Sequence, residues 1–218
     1  YFYSLFLITA VFAFLIFTHF PEDIEKEDEH PISYIKVIKN KKVWLFTLVL
    51  GLSITAESGI ANWLVNYLQL EHSFSTASSS FYLSLFFILF TVGRLLGGYL
   101  TELIGYMKSI IYFSILILIT FVVGIILQEN GAIFFSIAGL FISIMFPTII
   151  AIVMKEFKNN TGTYMGFIIT GASATTMINN WIIGKITEIF SVFIGFASVI
   201  IYILALLLFL FLLTKSLT

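Results

Sequence analysis

Runs of about 20 apolar residues recur along this chain, separated by short charged, Asn-rich or Ser-rich interruptions. At 1.5 Å of rise per residue, a helix of that length covers the hydrocarbon core of a bilayer. Seven stretches qualify, at roughly 1 to 18, 43 to 69, 79 to 101, 108 to 127, 132 to 154, 163 to 184 and 190 to 213. They are about twice the length of a barrel strand and lack strict alternation, which excludes a transmembrane barrel. The expected fold class is therefore an all-α polytopic membrane protein. Only 11% of the residues are charged, against about a quarter in a soluble domain. The charges sit in connecting segments and sum to −1, so nucleic acid binding has no support. The chain has no cysteine, which excludes a disulfide framework, a thiolate metal site and a cysteine nucleophile. His19, His30 and His72 fall at span ends or in loops without metal-like spacing, and no metal or cofactor is expected.

The longest polar interval, residues 19 to 42, is acidic in its first half and basic in its second. The acidic half reads as a solvated loop, and "SYIKVIKNKKVW" as a segment suited to the headgroup level. Lys36, Lys39, Lys41 and Lys42 precede the second span, and Lys108 lies between the third and fourth. Lys155 and Lys158 lie between the fifth and sixth, and Lys215 follows the seventh. All these ends fall on one side, whereas Lys185 is the only basic residue in the opposite turns, so the positive-inside rule makes the lysine-rich side cytoplasmic. The amino end is then outside and the carboxyl end inside. One helix, a long cytoplasmic loop and six further helices result: 1–18, 19–42 and 43–218. Tyr1 lies already inside an apolar stretch, with no basic segment ahead of it, which predicts a piece of a longer polypeptide.

The third span carries Gly93 and Gly97 in the GxxxG spacing that brings membrane helices close together. It runs on into Gly98-x-Leu100-x-Glu102-x-x-Gly105-x-x-Lys108, a short turn in which glycines permit chain reversal and an acid and a base latch helix ends. This order resembles the loop motif of the major facilitator superfamily. Leu103, Tyr106 and Met107 stand where the family has further basic residues, which weakens the expected latch but not the turn.

The wider chain resembles one branch of that superfamily, the fucose permease-like sugar:proton symporters. The match is carried by "AESGIANWLVNYL", "GRLLGGYLTELIGYMKS", "SIMFPTIIAIVMKEF" and "NNTGTYMGFIITGASATTMINNWIIG", in order over most of residues 50 to 184. The resemblance implies the second six-helix half of a transporter in the cell membrane, with residues 1–18 as the last helix of the first half. It implies a sugar such as fucose and a proton as partners, beside membrane lipid and the amino-terminal half of the same molecule. A half by itself is not expected to transport.

Glu57 falls near the middle of the second span, where a carboxylate costs a few kcal/mol and is expected to face a cavity or a partner. It is the leading candidate for proton exchange or sugar binding; the alternative is a structural acid holding its helix to a neighbour. Asn62, Trp63 and Asn66 supply amides beside an aromatic plate, which a sugar's polar rim and apolar face would suit. Interfacial anchoring competes for Trp63 and for Tyr67, both close to the outer boundary. At 100° per residue, Asn66 lies nearly opposite Glu57, so these residues do not form one cluster on a straight helix. Ser173, Thr176 and Asn180 share a face of the sixth span and suit either a polar pathway or interhelical hydrogen bonding. Pro147 invites a kink in the fifth span, for gating or for packing. Arg94, the only arginine, is expected to snorkel inward or to pair with Glu102.

Secondary active transport by alternating access is the leading expectation, with a non-sugar solute as its alternative. No GxxxxGK[ST] loop occurs, so nucleotide-driven pumping is unsupported. A seven-helix receptor fits the span count, but no lysine occupies the middle of the last span and the short reversal after the third belongs to transporters. An enzyme is not expected, because neither an HExxH helix nor a GxSxG elbow is present.

Overall fold

The computed structural model describes residues 2–18 and 33–217. The acidic half of the long interval, with His19 and His30, lies outside the described residues. The chain divides into two units, Tyr1–His30 and Pro31–Thr218. In the first, the described part is helix α1, Phe2–Phe17.

The second unit opens with a six-residue helix, α2 (Tyr34–Lys39), formed by the mixed apolar and basic segment. Helix α3 (Lys41–His72) follows, started by the Asn40 side chain accepting from the Lys42 amide at 2.9 Å. It stops at Ser73, whose left-handed φ of 54° turns the chain. Helix α4 (Thr76–Ile104) starts on Ser75, whose hydroxyl accepts from the Ser78 amide. It ends at Gly105, and α5 (Tyr106–Ile126) begins at the next residue. Gly105 has φ +94°, a conformation L side chains rarely adopt, so a one-residue reversal demands glycine here.

The fifth apolar run folds as two helices, α6 (Ala132–Ile142) and α7 (Met145–Glu156). Pro147 accounts for the interruption: it has no N–H to donate to the Ser143 carbonyl, and its ring crowds that same oxygen. The break therefore falls at Ser143 and Ile144, four and three residues upstream, and leaves Pro147 in the first turn of α7, where proline is tolerated. Helix α8 (Thr161–Ile189), the short α9 (Val192–Ala197) and α10 (Val199–Leu217) complete the chain.

Among the described residues, five helical stretches are long and apolar enough to cross a membrane: Lys41–His72, Thr76–Ile104, Tyr106–Ile126, Gln128–Glu156 and Val192–Leu217. The other two stretches read from the sequence correspond to α1, with 16 residues, and α8, with 29. Helix α8 has ample length, but its threonines, glycines and asparagines dilute its hydropathy.

Helix α3 is the axis of the second unit. Val49, Leu50, Ala56, Ile60 and Leu64 along it are fully buried. Toward its far end Tyr67 is buried as well, stacked on Phe196 at 4.5 Å between ring centroids and edge-on to Phe135 at 5.6 Å. Phe121 closes this cluster from α5. The interfacial role expected for Tyr67 is thus corrected: its ring faces inward, where four helices meet, and its hydroxyl is satisfied by His72 Nε2 at 2.9 Å. Helix α4 is the most open of the five spanning stretches, with Phe86, Gly93 and Gly97 among its few buried residues.

Candidate functional site

Glu57 is half-buried on α3 and makes no hydrogen bond to another described residue. Burial is the main influence on this carboxyl, and the charge of Arg94 on α4 is the second. The two do not reach ion-pair contact; among the described residues the ion pairs are Lys42–Glu156 and Lys185–Glu188. Arg94 was expected to snorkel inward or pair with Glu102. Instead its guanidinium lies over the Phe90 ring, 4.7 Å from the centroid. Helix geometry explains the choice: side chains lean toward their own helix's amino end, so Arg94 covers the preceding turn and points away from Glu102. Because α4 starts where α3 ends, leaning back also carries the guanidinium toward the depth of Glu57.

The second polar feature is a seam between α3 and α8. Thr176 Oγ1 donates to the Gly51 carbonyl at 3.1 Å, and Asn179 Nδ2 to Thr55 Oγ1 at 3.2 Å. Asn180 Nδ2 donates to Ser58 Oγ at 2.9 Å. The partners advance together along both helices, so α3 and α8 run parallel. Small residues allow the approach: a methyl on Gly51 would lie 2.8 Å from Thr175 Cβ, and one on Gly171 2.7 Å from Thr47 Cγ2. Thr176 and Asn180 on this face of α8 thus make interhelical hydrogen bonds. Ser173 is exposed and bonds back to the Ile169 carbonyl of its own helix. Thr55, Ser58 and Asn179 were missed from the sequence; the signal for them was a second polar stripe, Gly51, Thr55 and Ser58, at helical spacing on α3.

Asn62 and Asn66 are exposed and make no hydrogen bond to another described residue. With Ser58, Ala61 and Val65 they form an open stripe of α3 that Glu57 borders on one side. Trp63 does not join it. Half-buried, it turns toward α8, where its Cζ2 lies 3.9 Å from a methyl placed on Gly184. The structure therefore sets Asn62 and Asn66 together on an open stripe, with Glu57 at one edge, nearly opposite Asn66, and Trp63 beside the other.

The loop motif behaves as a turn. Gly98, Glu102 and Lys108 are exposed, and among the described residues neither Glu102 nor Lys108 belongs to an ion pair. A charge contact among the described residues at this end joins Lys42 Nζ to Glu156 Oε1 at 2.5 Å, which ties the start of α3 to the end of α7. Gly93 and Gly97 pack on the α6–α7 break: a methyl on Gly93 would collide with the Leu140 carbonyl and Ser143 Oγ, and one on Gly97 would lie 2.7 Å from Ile144 Cγ1. Pro147 is exposed just beyond this contact.

Helices of spanning length, a mid-span acid and a membrane-type small-residue seam describe a polytopic helical membrane unit, and its comparison with known proteins is specific. The family model of the Major Facilitator Superfamily matches residues 1–178 and 46–217. A transporter of that superfamily, FucP, in the outward conformation, is similar with a TM-score of 0.76 at 16% identity, over 95% of this chain and 51% of that one. A variant of the peptide transporter POT in complex with alafosfalin is similar with a TM-score of 0.72 at 17% identity, over 80% of this chain and 38% of that one. POT in complex with sulfate gives 0.70 at 16% identity, over 78% and 37%. At these identities the likeness concerns the fold, and this chain spans about half or less of the length of those structures. No curated protein matches. With the family model covering most of its length, the chain is an integral membrane protein that belongs to the Major Facilitator Superfamily.

Proposed function

We propose that this chain is the carboxyl-terminal half, with one preceding helix, of a secondary active transporter that moves a sugar such as fucose together with a proton. The observation that carries the reading is Glu57, a carboxyl group at mid-span on a partly open helix face that belongs to no ion pair among the described residues. An acid at that depth that is not locked into an ion pair can exchange its proton as surroundings change between two helix arrangements. Asn62 and Asn66 offer donors and acceptors for hydroxyl groups on the open stripe that Glu57 borders, and Trp63 lies at its other side. Lysine placement supports a cytoplasmic carboxyl end and a cell-membrane location. The missing half would supply the opposite wall of the substrate site.

Arg94 favours a second reading, a non-sugar anionic solute, because an exposed guanidinium within a span suits a carboxylate or phosphate as well. Uptake of a panel of labelled sugars and organic anions by the full-length transporter, in liposomes under an imposed proton gradient, separates the two. Accumulation of a sugar that is lost in Glu57→Gln supports the first reading. Accumulation of anions alone supports the second.

A further inference from the structure

Beneath the α4–α5 turn lies a cavity of about 660 Å³, lined by Ile104, Gly105, Tyr106, Met107, Lys108, Ile152, Lys155, Thr214 and Leu217. It joins the turn to the last residues of α7 and α10. It is remote in sequence and place from Glu57 and its stripe, and transport does not explain it. Its walls are apolar, and its charged members are two lysines with no acid among the lining residues.

Among the described residues, the nearby acids do not neutralise these lysines. Glu156 is engaged by Lys42, and Glu102 pairs with neither Lys108 nor Lys155. The Lys155 ammonium instead lies 3.9 Å from the centroid of the Tyr106 ring, which holds the cation at the cavity's rim. The familiar loop motif places acid and base together. Here the base stands without its acid, at the mouth of a greasy recess.

We propose that this cavity binds the headgroup and upper acyl chain of an anionic phospholipid. A phosphodiester would be held between the two ammonium groups, and methylenes would lie against Ile104, Ile152 and Leu217. Each part of the site matches one part of that molecule: fixed cations for the phosphate, apolar wall for the chain. A free phosphate would leave the wall without a partner. The cavity also sits where such a lipid would be found, at helix ends that lysine placement puts on the cytoplasmic side, where anionic lipid accumulates. The volume is too small for a whole lipid but falls in the range of specific pockets.

The test is native mass spectrometry of the full-length protein in detergent, titrated with phosphatidylglycerol, phosphatidylcholine or inorganic phosphate. The wild type retains one phosphatidylglycerol about tenfold more tightly than phosphatidylcholine. In the double variant Lys108→Gln, Lys155→Gln that preference disappears, while Lys41→Gln, Lys158→Gln, two exposed lysines outside the cavity, keeps it. Equal retention of both lipids by the wild type would overturn the proposal. So would an equal loss in both double variants, which would show a diffuse charge effect, or full displacement of the lipid by inorganic phosphate.

Discussion

Glu57 stands out in the sequence because a carboxylate inside an apolar run has few structural uses, and the structure keeps it half-open at mid-span. The placement of Arg94 was not legible. The residue pattern of α4 gives it a neighbour two turns along, Glu102, whereas the fold turns the guanidinium back over Phe90. Only the packing of one helix on another decides between those directions. If the two charges work together, Arg94→Gln should reduce proton-driven uptake as Glu57→Gln does. The double variant should then be no worse than either single, a coupling of about 1 kcal/mol or more in a double-mutant cycle. Additive losses would separate the two residues. Trp63 makes the opposite kind of case. Its residue type suits a sugar, but its ring leans on α8 near Gly184. Substrate stacking predicts that Trp63→Phe retains most binding while Trp63→Ala loses about 1 to 3 kcal/mol, measured by titration calorimetry. Equal effects on thermal stability with unchanged binding would make it a packing residue only.

At the scale of elements, the glycines divide sharply. Gly93 faces the α6–α7 break with no room for a methyl, whereas Gly98, one turn further and part of the loop motif, has nothing within 4 Å of its would-be Cβ. Gly93→Ala should therefore destabilise the protein by about 1 to 3 kcal/mol in a thermal unfolding assay, and Gly98→Ala should stay within about 0.5 kcal/mol of wild type. Gly105→Ala should cost about 1 to 2 kcal/mol for backbone reasons, because φ of +94° is strained for alanine even in open space. Pro147 marked the fifth span as interrupted, and the break falls where its missing N–H and its ring require. The α3–α8 seam was legible only as two polar stripes on separate helices. Their register, Thr55 against Asn179 and Ser58 against Asn180, depends on how parallel helices slide, which a single sequence does not encode locally. Each of these hydrogen bonds is expected to contribute about 0.6 kcal/mol, as interhelical bonds in membranes do.

For the whole molecule, the apolar runs made the helices readable, because a backbone in lipid must satisfy its own hydrogen bonds and the run length is set by the bilayer. Helix α8 is the instructive exception: it is long but comparatively polar, and part of that polarity, Thr176, Asn179 and Asn180, is spent on α3. The orientation rests on lysines and is directly checkable, because the chain has no cysteine to interfere. A cysteine at Lys108 should react with an impermeant maleimide only from the cytoplasmic side, and one at Asn130 only from outside; the reverse pattern would invert the topology. The proposed activity, coupling of a solute to a proton by alternating access between two halves, has a direct test. The most direct measurement is proton movement in proteoliposomes carrying a pH-sensitive dye in the lumen, after a solute that the protein transports is added outside with no gradient imposed. The account predicts that solute entry acidifies the lumen in the wild type and that Glu57→Gln abolishes the acidification. Solute entry in the wild type with no change in lumenal pH would contradict it.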